Sequence, residues 1–174
     1  MHEDLFLQAV TLATIDAKKP KQANLRRAVS AAYYAMFHSL VHEACCAIIG
    51  SQHSQSAYRH AIGRAFAHGA MSQACKSFGG GTLKGSVVKG LPRGPNGKYG
   101  IAAAIQNVAR TFGELQEKRH LADYDLSERF NRSDVLALID DARDHMKSFA
   151  ELPNSDEKRF FLACLWAWKE LASR

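Results

Sequence analysis

Between Gln22 and Ile49 no glycine or proline interrupts the chain, and Leu25, Ala28, Val29, Ala32, Met36, Phe37, Leu40, Val41, Ala44 and Ile48 recur at helical spacing. A segment this long that cannot turn predicts a central helix, with the rest arranged around it. Loose periodicity through Leu5, Leu7, Val10, Leu12 and Ile15 predicts a short helix before it, closed by a turn at Pro20. A third helix is expected from Ser54 to about Phe78, weakened at Gly63 and Gly69. A fourth runs from Ile101 to about Leu126. Ser133 is the expected N-cap of a fifth, through Val135, Leu138, Ile139, Ala142 and Met146. A break at Pro153–Asn154, with Ser155 as cap, opens a C-terminal helix over 155–174 bearing Trp166 and Trp168. With 174 residues and 47% apolar content, the expectation is one all-α domain, an up-and-down bundle of about five to six helices.

Charge is segregated along this chain. From Ala44 to Gly113 there is no Asp or Glu, while Arg59, Arg64, Lys76, Lys84, Lys89, Arg93, Lys98 and Arg110 all fall there; the remainder carries 15 cations against 17 acids. An all-positive block attracts polyanions by counterion release, which makes nucleic acid the leading partner class, a solvated basic face being the alternative. Within the block, residues 79–100 hold eight of the 12 glycines and two of the four prolines. They are expected to form a flexible Gly-rich basic insert, either inert or presenting Lys84, Lys89, Arg93 and Lys98 to a phosphate backbone, with Arg59 and Arg64 as further contacts. GGGTLKGS does not match the phosphate-loop pattern GxxxxGK[ST], so no nucleotide cofactor is expected.

No stretch of about 18 apolar residues occurs, and His2, Glu3 and Asp4 begin a segment unlike a secretory signal. A cytoplasmic chain without a membrane partner is expected. The four cysteines form no CxxC pair and read as buried thiols rather than a disulfide or zinc framework.

Chemistry-bearing residues concentrate on two helices. On the fourth, Arg119 and Asp123 stand one turn apart, as do His120 and Tyr124. On the second, Ser30, Tyr34, His38 and His42 make a polar stripe, fit either for a partner surface or for hydrogen-bonded interior polarity. HSLVH lacks the Glu that a zincin places after its first His, and no metal is expected. The terminal helix is apolar around much of its circumference, which suits deep burial or a dimer contact through Trp166 and Trp168.

The segments LRRAVSAAYYAMFHSL (Leu25–Leu40) and KRHLADYD (Lys118–Asp125) together resemble the HEPN superfamily of small helical bundles, over roughly residues 5–150. The resemblance implies a HEPN-like bundle, often a homodimer, that binds and in some members cleaves RNA in bacterial toxin–antitoxin or defence modules. It also implies a possible minimal nucleotidyltransferase partner, with Tyr124 near the position where some members are adenylylated. HEPN ribonucleases follow their Arg with a His that would fall here at 124, 125 or 126; Tyr124, Asp125 and Leu126 stand there instead.

Metal-free RNA cleavage needs a group to take the 2′-hydroxyl proton and a cation to stabilise the phosphorane. If RNA is cleaved, Arg119 would stabilise the phosphate, His120 or His38 would move the proton, and Asp123 and Tyr124 would position them. The missing His leaves enzyme status open. The alternative is a catalytically silent interaction subunit that dimerises and binds a protein partner through Tyr34, His42 and the tryptophan helix.

Overall fold

The structure, a computed structural model, describes residues 2–173. Among them all regular structure is helical: α1 (His2–Thr14), α2 (Gln22–Ile49), a 3₁₀ turn (His53–Gln55), α3 (Ser56–Gly63), α4 (His68–Gly79), the single turn α5 (Gly85–Val88), α6 (Ala103–Tyr124), α7 (Arg132–Ala150) and α8 (Asp156–Ala172). The all-α expectation is met, and no helix is long and apolar enough to cross a membrane.

Three boundaries differ from the sequence reading, each for a local reason. The expected third helix is two, because Ala67 adopts an extended backbone (φ −110°, ψ 130°) and Phe66 is buried at the corner this makes. The cap of α7 is Asn131 rather than Ser133: Asn131 Oδ1 accepts from the Asp134 backbone N–H at 2.9 Å, satisfying one of the orphan donors of the first turn. The insert is not wholly irregular, since Val87 and Val88 are buried on a helical turn that packs against α8. The cap of α8 is Ser155 as expected, its hydroxyl accepting from Lys158 N.

Contacts gather the chain into two compact units. The first comprises the described residues up to Ser39 together with Thr111–Ser148. Its buried apolar side chains include Phe6 of α1, Leu25, Val29, Tyr33 and Met36 of α2, Phe112 and Leu115 of α6, and Val135 and Ile139 of α7. The Tyr33 and Phe112 rings lie 5.6 Å apart. Gln22 clamps the loop before α7, its amide donating to Phe130 O at 2.7 Å and accepting from Phe130 N at 3.0 Å. Arg132 at the start of α7 donates to the carbonyls of Asp16 and Ala17.

The second unit comprises Leu40–Arg110 and the described residues from Phe149 onward. Here α4 packs on α8, with Phe78 against Phe161 at a ring separation of 4.9 Å and Trp168 buried nearby at 6.4 Å. Gly79 permits the close approach of α4 to Arg110, because a Cβ there would stand 3.1 Å from the Arg110 backbone nitrogen. Gly50, at φ +105°, ends α2 in a conformation that side chains disfavour. Lys158, only 6% exposed, donates to the carbonyls of Ala150 and Leu152 at 3.3 Å each and lies 3.8 Å from Glu43. Cys45, Cys75 and Cys164 are buried, as expected of the thiols, but Cys46 is half-exposed.

Candidate functional site

The first unit brings most of the singled-out polar residues together around Arg119. The α6 spacing places Asp123 one turn on, and its Oδ2 lies 2.7 Å from Arg119 Nε. Across to α2, Arg119 Nη2 donates to the Tyr34 hydroxyl at 3.2 Å, and Ser30 Oγ donates to Asp123 Oδ1 at 2.7 Å. Three rings surround the guanidinium, with Tyr34, Tyr33 and Tyr124 centroids 5.6, 5.8 and 5.8 Å from Cζ. Burial alone would lower the Arg119 pKa, but Tyr34, Asp123, Tyr124 and Tyr33 together outweigh it and raise it further. Arg119 is therefore a fixed cation, oriented by one carboxylate and a cage of π faces.

Both candidate histidines border this cluster on different aromatic neighbours. His120 is exposed, with its ring 4.9 Å from that of Tyr124. His38 is half-buried and stacks against Tyr34 at 6.3 Å. Desolvation by burial, aided by the nearby charge of His2, lowers the His38 pKa, so its imidazole is neutral at physiological pH and able to accept a proton. The three positions where a HEPN histidine would fall carry other roles. Tyr124 is 67% exposed beside the guanidinium, Asp125 turns back to accept from the hydroxyl and backbone N–H of Ser127, and Leu126 points to solvent.

Arg26 is the residue that sequence reasoning missed. It donates to Leu121 O and Ala122 O in the last turn of α6 through Nη1, and to Asp125 O and Glu128 O in the loop beyond it through Nη2, tying the C-terminal end of α6 and the following loop to α2. That end carries Arg119 and Asp123, so Arg26 holds the site's supporting turn in place. The signal was available: Arg26 is one further i+4 step back along the Ser30, Tyr34, His38, His42 stripe. Tyr33, a ring of the cage, was also passed over because it reads as core, where it is indeed buried.

The remaining candidates lie in the second unit. Lys84, Lys89, Lys98, Arg93 and Arg64 are exposed. Arg93 reaches Val88 O at 3.4 Å. Arg59 is fastened to Gly50 O and Gln52 O at 2.7 and 2.8 Å, which gives it a structural task in the turn after α2. His42 is exposed, with its Nε2 3.6 Å from Cys46 Sγ. On α8, Trp168 is 3% exposed whereas Trp166 is 44% exposed, so only Trp166 offers a large apolar surface. No family model, curated protein or solved structure matches this chain.

Proposed function

We propose that this chain is a HEPN-type helical protein that engages RNA in a bacterial toxin–antitoxin or defence module, with Arg119 as its phosphate contact. The observation that carries the reading is the Arg119 cluster, a permanent cation set between Asp123 and three tyrosine rings. A guanidinium has five donors in a rigid fork, which one carboxylate and one phenol do not exhaust. Tyr124 and His120, exposed beside it, offer π faces to a neighbouring base, and the exposed lysines of the basic segment supply sequence-independent attraction. For cleavage, the candidate proton acceptors are His38, half-buried against Tyr34, and the exposed His120 beside Tyr124.

The test is incubation of the full chain with tRNA and with total RNA, with and without EDTA, beside Arg119→Ala. Discrete EDTA-resistant products that vanish in the variant support a metal-independent ribonuclease. RNA that is bound but left intact, with binding lost in the variant, supports recognition without cleavage. RNA that is neither bound nor cut by the parent protein overturns the RNA reading.

A second reading is favoured by one specific feature, the 2.7 Å Arg119–Asp123 pair, which neutralises the cation internally. On that reading the chain is a silent interaction subunit, dimerising or binding a nucleotidyltransferase through surfaces such as Trp166, and Arg119 is part of its framework. Co-purification of a stoichiometric protein partner with intact RNA in every lane selects it.

A further inference from the structure

Among the described residues no three His, Cys, Asp or Glu side chains converge on one point, so a closed metal centre is not formed. One accessible pair does converge, independently of the RNA reading. His42 and Cys46 stand one turn apart on α2, the first exposed and the second half-exposed, and Cys46 Sγ lies 3.6 Å from His42 Nε2.

That separation has a chemical meaning beyond a thiol–imidazole hydrogen bond. A tetrahedral zinc ion holds thiolate sulfur at about 2.3 Å and imidazole nitrogen at about 2.0 to 2.1 Å, which sets the sulfur–nitrogen edge at roughly 3.5 to 3.6 Å. The two donors therefore already span one edge of such a tetrahedron and need no helix distortion to share an ion. We propose that His42 Nε2 and Cys46 Sγ form a two-donor site for a thiophilic divalent cation of the zinc class, open at its remaining positions.

Thiolate and imidazole together select zinc, cadmium or cobalt over magnesium and calcium, which prefer oxygen. The surrounding charge is mixed. Burial, the largest effect, and Glu43 together raise the Cys46 thiol above its usual pKa, with Arg59 offsetting them only in part, so the metal itself must displace the thiol proton, while the Glu43 carboxylate favours a cation nearby. Arg59 is held by the Gly50 and Gln52 carbonyls, and Glu43 faces Lys158 at 3.8 Å, so neither is a third ligand. On binding, the Cys46 S–H bond breaks and its proton passes to solvent as the sulfur–metal bond forms. His42 contributes the Nε2 lone pair while Nδ1 keeps its proton, each donor displaces one metal-bound water, and no electron is transferred.

The probe is Co²⁺, titrated into the full reduced chain while thiolate-to-cobalt charge-transfer absorption is followed, then displaced with Zn²⁺ and challenged with Mg²⁺. The expected result is a saturable band that Zn²⁺ abolishes and Mg²⁺ does not, weakened on the order of tenfold or more in Cys46→Ser and in His42→Gln but not in His53→Gln. A second measurement needs no variant: Zn²⁺ should slow alkylation of Cys46 in the unaltered protein by a similar factor. Absence of the charge-transfer band, its persistence in a folded Cys46→Ser protein, or alkylation of Cys46 indifferent to Zn²⁺ would each overturn the site.

Discussion

Arg26→Met should cost about 3 to 4 kcal/mol of stability, a value worked from four contacts as follows. The guanidinium donates to Ala122 O, Asp125 O and Glu128 O at 2.7 to 2.8 Å and to Leu121 O at 3.2 Å. Hydrogen bonds from a charged donor contribute about 1.5 to 3 kcal/mol each, which taken naively would exceed 6 kcal/mol. Two corrections reduce this. The site is only part-buried, so water re-satisfies the Asp125 and Glu128 carbonyls once the side chain is gone, and bonds sharing one donor group do not add. The cation over the Phe130 ring at 5.6 Å contributes about 0.5 to 1 kcal/mol of the total.

Arg26→Lys keeps the charge but lacks the fork, and should lose about half as much. Arg27 next door is exposed, so Arg27→Met should stay within about 0.5 kcal/mol of the parent. Urea denaturation followed by far-ultraviolet circular dichroism measures all three, with slopes compared to confirm a common unfolded state. The reasoning is refuted if Arg26→Met lies within about 1 kcal/mol of the parent or if Arg27→Met costs as much.

Lys158→Met removes two long hydrogen bonds and the Glu43 neighbour, and thermal melts should show a loss of about 1 to 3 kcal/mol; an unchanged melting temperature contradicts a stabilising role for its bonds to the Ala150 and Leu152 carbonyls. His38 is held below its usual pKa in the folded chain, so the unfolded chain takes up the proton first. Its contribution is therefore fully present above about pH 6.5 and lost as pH falls through the folded value; urea midpoints across that window should fall with pH in the parent and less steeply in His38→Gln. Replacing Lys84, Lys89 and Lys98 together by Gln should lower the salt dependence of single-stranded RNA affinity by a slope of about 2. An unaltered slope would show that the basic insert does not touch the backbone.

Local chemistry made some of this architecture readable. The α2 periodicity and the Ser155 cap of α8 were sufficient in themselves, since each depends on residues within a few turns of one another. The α3–α4 corner was not, because Arg64-Ala65-Phe66-Ala67 contains no breaker, and burial of Phe66 is a tertiary matter; Gly63 and Gly69 on either side were the hints. At α7 the run Asn131-Arg132-Ser133 offers two capping residues two positions apart, and the Asn131–Asp134 pairing decides between them. Of the site, the Arg119–Asp123 spacing was legible along α6. Its closure by Ser30 and Tyr34 was not, because those contacts join residues 93 and 85 positions apart. Arg59 illustrates the converse: a cation counted toward nucleic acid is in fact tied to the chain's own carbonyls.

The central claim is that Arg119 meets a phosphate, and the most direct measurement is RNA affinity at one fixed salt concentration for the parent, Arg119→Lys and Arg119→Ala. The account predicts that Arg119→Ala, still helical, loses about 1 to 3 kcal/mol of binding, roughly five- to 150-fold, and that Arg119→Lys loses less. Equal affinity in all three folded proteins would contradict it and leave the Arg119–Asp123 pair as framework alone.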